Sequence, residues 1–429
     1  MEDWFETTLN KFIDVESGFA FKSEGFVTKG IPVVKIGNIS NYTTVETNDN
    51  SFIKEEDLFL YKDYILHEGD ILIAMSGNTT CKMGRVSTEF SPSLVNQRVG
   101  WIKPKSEEID INFVYYLLTS NTYQNRLWNF ATATGQPNLS PRDIKRISFF
   151  KPPKLEQTII AYILSKVDEA IRATENTIKA ADKLKRCLMQ NLLTGKLKVD
   201  GTWRKEDEFE MTKIGLIPKD WQIKTVKELS SQVTDGEHTT PERSDKGFYL
   251  LSARNIKNGY LDLSDVDFVP EKELRKIQKR CNPQSGDILI SCSGTIGNVC
   301  IVPDGLDAGM VRSAALIKLK KEEFESEFAE FVFQSFSLQN QMKVSVASSV
   351  QGNIFQDAIK KLRIPYPPNK KERDTLTKHI RAISETVIKK QSKIVILKRL
   401  KKSLMQNLLT GRQKVDVNMI EEVLNSDLK

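Results

Sequence analysis

The sequence predicts an α+β protein with two globular domains separated by two long antiparallel coiled-coil helices, arranged as a pseudo-two-fold internal repeat. Three observations predict this architecture. The octamer LMQNLLTG occurs at Leu188–Gly195 and again at Leu404–Gly411. Each octamer closes a long stretch that contains no earlier glycine or proline. The rest of each half alternates short apolar runs of strand composition with turn residues, which is typical of a globular domain.

The repeat extends far beyond the octamer. GIPVVKIGNIS (from Gly30) aligns with GFYLLSARNIK (from Gly247), and GDILIAMSG (from Gly69) aligns with GDILISCSG (from Gly286). NLSPRDIKRISFFKPP aligns with NIFQDAIKKLRIPYPP in the same order, and the offset stays between 215 and 217 residues. Self-similarity at a constant offset indicates duplication of a structural unit. The chain is therefore two diverged copies of one unit.

Each copy has a mixed part and a helical part. Runs such as IPVVKI and DILISC predict strands, whereas FVYYLLTS and FAEFVFQSF predict buried helices. A double proline, Pro152-Pro153 or Pro367-Pro368, stops the last strand before the helical part begins. We therefore expect four domains: a first globular domain 1–151, a central helical spacer 152–200, a second globular domain 201–366 and a distal helical spacer 367–429.

The helical parts carry a heptad pattern. Apolar residues recur in alternating steps of four and three, with charged residues between them, which predicts a coiled-coil seam. Because the two seams match position for position, each helix is expected to bury its stripe against the other. Lys185 and Lys401 interrupt the seam at equivalent positions. Ten apolar residues form the predicted helical interface: Leu164, Ile171, Ile178, Leu188, Leu192, Ile380, Val387, Ile394, Leu404 and Leu408.

Composition limits the class of protein. The chain has 429 residues, 39% of them hydrophobic and 28% charged, with a net charge of +7. This excess permits a polyanionic partner without requiring one. No apolar run approaches the roughly 20 residues that span a bilayer, and MEDWFETTLNKF does not have the pattern of a signal peptide. The five cysteines show no CxxC spacing, so we expect reduced thiols, a cytoplasmic location and no contact with a membrane.

Catalytic motifs are not found. The three histidines, His67, His238 and His379, show no metal-ligand spacing. The sequence contains no G-x-S-x-G, no phosphate-binding loop and no dinucleotide fingerprint. By elimination the sequence predicts a binding protein that is not an enzyme and that binds neither a metal nor a cofactor itself.

Polar segments beside predicted strands are the candidates for binding DNA. Arginine pairs with guanine, asparagine and glutamine pair with adenine, and lysine, serine and threonine contact phosphates. Each residue could equally be an ordinary turn or surface residue. Residues that differ between the copies are the better candidates for reading different sequences. The candidates are Asn78, Lys82, Arg85, Asn96, Gln97, Arg98, His238, Thr239, Thr240, Arg254, Asn255, Lys257 and Arg312.

These motifs resemble one known family. SGFAFKSEGF (from Ser17), GLIPKDWQIKTVKELSS (from Gly215), DGEHTTP, the twin GDILI segments and the twin octamers are similar to the specificity subunit of type I restriction–modification enzymes. The resemblance covers essentially the whole chain. One departure is that the first copy lacks the IGLIPKDW lead-in of the second, although Trp4 still aligns with Trp221.

The resemblance implies two target-recognition domains that each read half of a bipartite DNA sequence, with the helices as a ruler between them. It also implies a non-catalytic subunit that assembles on double-stranded DNA with two methyltransferase subunits, which use S-adenosylmethionine. Two restriction subunits, which use ATP and Mg²⁺, can join that assembly.

Two alternatives remain open on the residues alone. One is a coiled-coil scaffold whose globular domains bind proteins and not DNA. The other is a self-contained nuclease or a fused methylase–specificity chain, which would need a carboxylate–lysine cluster or a methylase motif. Salt dependence separates a DNA reader from a protein scaffold, because phosphate contacts weaken steeply with added salt.

Overall fold

The protein forms two compact units. A computed structural model describes residues 4–40, 44–45, 51–133, 135–347 and 352–415. Unit 1 comprises Met1–Glu175 and Ser392–Lys429, and unit 2 comprises Asn176–Gln391. These limits cut across the four expected domains, because each long helix contributes one half to each unit. The predicted α+β class, the internal repeat and the two long helices are confirmed.

The first copy contains twelve strands and four α-helices among the described residues. The strands are β1 (Phe5–Thr8), β2 (Ile13–Ser17), β3 (Ile31–Val34), β4 (Ile39–Ser40), β5 (Thr44–Val45), β6 (Phe52–Ile53), β7 (Ile65–Leu66), β8 (Ile71–Ala74), β9 (Met83–Arg85), β10 (Ser93–Val95), β11 (Val99–Pro104) and β12 (Ser148–Lys151). The helices are α1 (Ile111–Thr119), α2 (Asn121–Thr132), α3 (Pro141–Lys145) and α4 (Lys154–Leu192).

The second copy repeats this order. Its strands are β13 (Phe209–Thr212), β14 (Gly215–Pro218), β15 (Gln222–Thr225), β16 (Ser230–Asp235), β17 (Phe248–Leu251), β18 (Ile256–Lys257), β19 (Tyr260–Leu261), β20 (Asp267–Val269), β21 (Ile288–Ser291), β22 (Val299–Ile301), β23 (Ala308–Met310), β24 (Ala314–Leu319) and β25 (Arg363–Tyr366). Its helices are α5 (Val226–Leu229), α6 (Glu271–Gln278), α7 (Ser326–Gln334), α8 (Phe336–Ala347), α9 (Gln356–Lys361) and α10 (Lys370–Leu408).

The sheets of the two units correspond. Unit 1 has a sheet of order β2-β11-β8-β9-β5-β4, a sheet β6-β3-β10-β7 and a pair β1-β12. Unit 2 has β16-β24-β21-β22, β20-β17-β23 and the pair β15-β25 in the same roles. The hairpin β13-β14 has no counterpart in the part of unit 1 that the structure describes. The larger sheet packs with the buried helix α1 or α7 in the core of its unit.

Each long helix ends on a glycine in the left-handed region. Gly195 and Gly411 both have φ of +69°, as expected for the predicted C-caps. A Cβ on Gly195 would lie 3.1 Å from the Trp221 ring, and one on Gly411 would lie 3.3 Å from the Trp4 ring. Each copy of the octamer therefore ends its helix against an equivalent tryptophan.

The halves of α4 and α10 that share unit 1 run antiparallel. Lys401 pairs with Asp168 at 2.6 Å, and Lys398 pairs with Glu175 at 3.2 Å. Residue numbers therefore increase along α4 in the direction in which they decrease along α10. None of the helices within the described ranges is both long and apolar enough to cross a membrane.

The predicted helical interface has two environments. All ten of its residues are buried or half-buried. Leu164, Leu404 and Leu408 pack in the core of unit 1, and Leu188, Leu192 and Ile380 pack in the core of unit 2. The ends of the seam are thus covered by the globular part of the unit and not only by the other helix. The apolar faces of α1 and α7 supply this cover, which the heptad pattern alone could not reveal.

Candidate nucleic-acid interface

In unit 1 a parallel pair of strands brings three loops together. Strands β3 and β10 are parallel, with Val34 opposite Val95, so the chain leaves both at one edge of the sheet. The backbone N–H of Phe19 donates to the carbonyl of Val95 at 2.9 Å, and the N–H of Gln97 donates to the carbonyl of Phe19 at 2.9 Å. We call residues 19–21, 35–38 and 96–98 the parallel edge of unit 1. Loops at the carboxyl ends of parallel strands are common ligand sites.

Unit 2 builds the same edge with the same hydrogen bonds. Strands β17 and β23 are parallel, with Leu251 opposite Met310. The N–H of Glu237 donates to the carbonyl of Met310 at 2.7 Å, and the N–H of Arg312 donates to the carbonyl of Glu237 at 3.0 Å. Residues 237–239, 252–255 and 311–313 form the parallel edge of unit 2. The matching bonds make Glu237 equivalent to Phe19, and Arg312 equivalent to Gln97.

A carboxylate organises the parallel edge of unit 2. Asp235, at the end of β16, contacts His238 Nε2 with Oδ2 at 2.9 Å and accepts a hydrogen bond from Arg280 Nη2 with Oδ1 at 2.9 Å. Burial raises the pKa of Asp235, but the hydrogen bonds with Arg280 and His238 together lower it by more than burial raises it. The pKa of this carboxyl group therefore lies below its usual value. The carboxylate therefore stays ionised and holds both partners in place.

The adjoining turn is held by Glu237. Its Oε1 accepts hydrogen bonds from the backbone N–H of His238 and of Thr239, each at 3.0 Å. The Thr239 hydroxyl donates to the same oxygen. These three hydrogen bonds lower the pKa of Glu237, and the bond from the Thr239 N–H has the largest effect. The edge is therefore a fixed surface with polar groups pointing outward.

Two further arginines share one aspartate nearby. Arg254 Nη2 lies 2.9 Å from Asp267, and Arg243 Nε lies 3.2 Å from the same carboxylate. Both arginine side chains remain about half exposed. Exposed ion pairs of this kind add little to stability. Their guanidinium groups are oriented by the carboxylate while keeping donors directed to solvent, which suits contact with DNA.

The parallel edge of unit 1 is aromatic where that of unit 2 is charged. Phe19 stacks edge-to-face on Phe21 and on Tyr61, each with ring centroids 5.1 Å apart. Phe19 is 38% exposed, so part of this cluster faces solvent. Lys35 lies 4.6 Å from the centre of the Phe26 ring. The same backbone arrangement thus carries exposed aromatic side chains in unit 1 and charged side chains held by hydrogen bonds in unit 2.

Most sequence-predicted DNA candidates lie on the surface. The turn that carries Asn78 packs against the parallel edge of unit 1, because the Thr79 hydroxyl donates to the carbonyl of Ile36 at 2.9 Å. The exposed candidates are Asn78, Gln97, Arg98, His238, Thr239, Thr240, Arg254 and Arg312. The half-buried candidates are Lys82, Asn96 and Lys257.

Two candidates have interior roles instead. Asn255 is 1% exposed, and its amide donates to the carbonyls of Asp262 and Asp265 while its Oδ1 accepts from the Ser252 N–H. All of its hydrogen-bonding groups are used within the turn, so a base contact through this side chain is ruled out in this conformation. Asn38 makes the equivalent bond to the Lys35 N–H in unit 1.

Arg85 is half-buried. Its guanidinium lies 4.2 Å from the centre of the Tyr115 ring, and its Nε and Nη2 are buried. Cation–π attraction holds the guanidinium on the ring, and its Nε and Nη2 are directed into unit 1 and not toward solvent. Sequence reasoning could not detect this, because the strand β9 and helix α1 that supply the pair are far apart in the chain.

Sequence analysis missed Arg243 and Arg280. Arg280 follows α6 in a run of charged residues, KELRKIQKR, where nothing separates one cation from the next. Only the fold brings it to Asp235 and His238. Arg243 lies in the loop DGEHTTPERSDKG, which also carries the candidates His238 and Thr239, so its proximity to them in sequence was the available signal.

Comparisons with known proteins agree with this architecture. The family model described as "Type I restriction modification DNA specificity domain" matches residues 1–182 and 218–410. The putative type I restriction enzyme MjaX specificity subunit of Methanocaldococcus jannaschii is 26% identical over 428 residues, covering 96% of this chain and 94% of that protein.

Other relatives match part of the chain. The MjaVIII specificity subunit of the same organism is 31% identical over 201 residues, which is 46% of this chain and 47% of that subunit, so the match spans about half of that relative. The EcoBI specificity subunit of Escherichia coli is 25% identical over 332 residues, with 74% of this chain and 66% of that subunit aligned.

A solved structure shares the fold. The crystal structure of a type I restriction–modification system S subunit from M. genitalium superposes with a TM-score of 0.64 at 17% identity, covering 95% of this chain and 96% of that chain. The family model matches both copies of the repeat and most of the chain. The chain therefore belongs to the type I restriction–modification DNA specificity family and is a DNA sequence-recognition subunit.

Proposed function

We propose that the parallel edges of unit 1 and unit 2 each bind one half of a bipartite target in double-stranded DNA. The observation that carries this proposal is that one backbone arrangement occurs twice with different side chains on it. A shared scaffold with divergent exposed residues is what reading two different half-sites requires, because base edges are distinguished by side-chain donors and acceptors.

The remaining features of the assembly belong to the same proposal. The chain would be non-catalytic and cytoplasmic, and it would position two methyltransferase subunits and, where present, two restriction subunits. S-adenosylmethionine, ATP and Mg²⁺ would be bound by those partners. The duplicated unit supports two copies of one partner, since equivalent surfaces bind equivalent subunits. The alternative of a protein-binding scaffold is not favoured, because the family is one of DNA specificity domains.

The test is adenine methylation across the genome of the host, measured by single-molecule sequencing with and without this gene. We expect deletion to remove one bipartite methylated motif, while exchange of residues 1–151 for another recognition domain should change one half-site only. Unchanged methylation in a host that expresses the methyltransferase partner would contradict the proposal.

Binding by the purified complex supplies a second measurement. If the subunit contacts phosphates, log K should fall linearly with log salt, with a slope of about −0.9 for each phosphate contacted. A slope near zero together with retained protein binding would favour the scaffold.

A further inference from the structure

Gln97 and Arg312 are structurally equivalent residues with different chemistry. Each follows the second strand of its parallel pair by two positions. Each donates its backbone N–H to the residue that opens the facing loop, Phe19 or Glu237. The neighbouring bonds also match, because the carbonyl of Arg98 accepts from Met75 and the carbonyl of Ser313 accepts from Cys292. The equivalence therefore rests on register and not on sequence similarity.

Both side chains project from rigid turns and are unused by the fold. Gln97 and Arg312 are exposed, and within the described residues neither side chain has a hydrogen-bond or ion-pair partner. The turn below each is fixed by several backbone hydrogen bonds. The fixed turn sets the position of each Cα, and the donors and acceptors of the side chain remain available to a partner, while ordering the side chain on binding still costs free energy. By contrast, Arg254 and Arg280 are already engaged by carboxylates.

The chemistry of the two residues points to different bases. The glutamine amide has one donor and one acceptor side by side, which match N7 and N6 of adenine in the major groove. The arginine guanidinium has two parallel donors, which match O6 and N7 of guanine.

We infer that Gln97 and Arg312 are paired specificity-determining residues, with Gln97 reading an adenine in one half-site and Arg312 a guanine in the other. This inference rests on the proposed function and deepens it, because it names the residue in each unit that contacts a base and the base that it recognises. The surroundings agree with the assignment. The aromatic surface beside Gln97 suits the methyl group of the thymine that pairs with adenine. In unit 2, Arg254 and Arg280 are held by carboxylates, whereas the Arg312 side chain is not.

The experiment uses the full chain in complex with its methyltransferase partner, and it selects bound duplexes from a DNA library randomised in each half-site. At fixed salt, Gln97→Arg should shift one position of the unit 1 half-site from adenine to guanine and leave the other half-site unchanged. Arg312→Gln should make the reverse change in the unit 2 half-site. Each shift in preference should be roughly 5- to 150-fold, the range for one paired hydrogen-bond contact.

Three further variants keep the result interpretable. Gln97→Ala and Arg312→Ala should relax the preference at the same positions without creating a new one. Asn112→Arg, which adds a charge at the exposed start of α1, should leave both half-sites unaltered.

Swap variants that bind with wild-type preferences would overturn the inference, as would a uniform loss of affinity for all sequences in folded variants. The latter would mark these residues as phosphate contacts. A wild-type complex that selects no bipartite sequence would instead overturn the proposed function.

Discussion

Unit 1 and unit 2 begin their long helices with different side chains at one equivalent buried position. In unit 1 the amide of Gln157 accepts from the Asp110 N–H at 2.8 Å and donates to the carbonyls of Glu108 and Pro152. In unit 2 the guanidinium of Arg373 takes this position and makes paired bonds to Glu325. Both residues tie the helix start to the loop before α1 or α7. One backbone thus accepts either a neutral or an ionic anchor.

Arg373 makes more bonds than Gln157. Besides Glu325, it donates to the carbonyls of Glu323, Pro367 and Pro368. Only 4% of its side chain is exposed. Burying a charge is costly unless it is fully paired, so this anchor depends on every partner being present. The ionic anchor therefore fixes the helix more firmly but is more sensitive to loss of one partner.

The helix seam differs between the units in the opposite sense, because here the close ion pair lies in unit 1. In unit 1, Lys401 pairs with Asp168, whose carboxylate also accepts from the Tyr116 hydroxyl at 3.0 Å. In unit 2 the equivalent lysine, Lys185, lies near Glu330, which is 7% exposed. Burial raises the pKa of Glu330 and lowers that of Lys185. The duplicated lysine found in the sequence thus forms a close ion pair across the seam in unit 1, whereas in unit 2 it is influenced by Asp182 of its own helix and by the buried Glu330.

The largest expected effect is from Arg373→Met. It leaves the half-buried Glu325 with the exposed Lys370 as its remaining ion-pair partner, removes the donor of three backbone carbonyls, and should lower the free energy of unfolding of unit 2 by about 3–5 kcal/mol. The matched variant Gln157→Met removes neutral bonds only and should cost unit 1 about 1–3 kcal/mol. Hydrogen exchange measured as a function of denaturant resolves the two units separately. Equal losses in both units would show that the ionic anchor has no special dependence on its partner.

The next effect concerns the seam of unit 1. Asp168→Ala leaves the amine of Lys401, whose side chain is 19% exposed, without its partner, and we expect a loss of about 2–3 kcal/mol. Glu175→Ala is the control, because it removes the Lys398 pair between the same two helices. That pair is 60% and 43% exposed and should contribute less than about 1 kcal/mol. Denaturant unfolding of both variants provides the measurement, and similar losses would refute the role given to burial.

A smaller effect is expected from Tyr116→Phe, which gives unit 1 the residue type that unit 2 has at Phe331. It removes one hydrogen bond to Asp168 and should cost about 0.5–1.5 kcal/mol. The reverse change, Phe331→Tyr, would add a hydroxyl to a side chain that is 4% exposed. Ser384, which aligns with Asp168 in the repeat, already donates its hydroxyl to the carbonyl of Ile380. Thermal unfolding should show destabilisation by both changes. Stabilisation by Phe331→Tyr would mean that unit 2 can satisfy the hydroxyl after all.

The smallest expected effect is on pH dependence. Burial raises the pKa of Glu325, but the hydrogen bonds and the charge of Arg373 lower it by more than burial raises it. The pKa of Glu325 in the folded protein therefore lies below its usual value. The contribution of this pair is therefore present above the unfolded-state pKa and is lost as pH falls through the folded value. The difference in unfolding free energy between wild type and Arg373→Met should narrow from pH 7 to pH 3. The difference for Gln157→Met should stay constant, and a parallel decline in both would contradict this origin.

Much of the architecture could be predicted from the sequence, because its signals are local or repeated. The two octamers, the heptads and the double prolines each appear within a short window or at a constant offset. Gln97 and Arg312 are among the candidates that the sequence predicts, since both lie in polar turns directly after apolar strands. Equivalence within a repeat further indicated that residues differing between the copies matter for specificity.

The sequence by itself therefore determined the repeat, the helices and their caps, and the surface character of most candidate residues. Only the tertiary structure decided which polar residues are buried, as for Asn255 and Arg85, and which distant ones meet, as for Asp235 and Arg280. It also decided that Gln97 matches Arg312, since the offset between copies changes along the chain. The physical reason is that burial and strand register depend on hydrogen bonds and contacts between segments far apart in sequence, which no local pattern encodes.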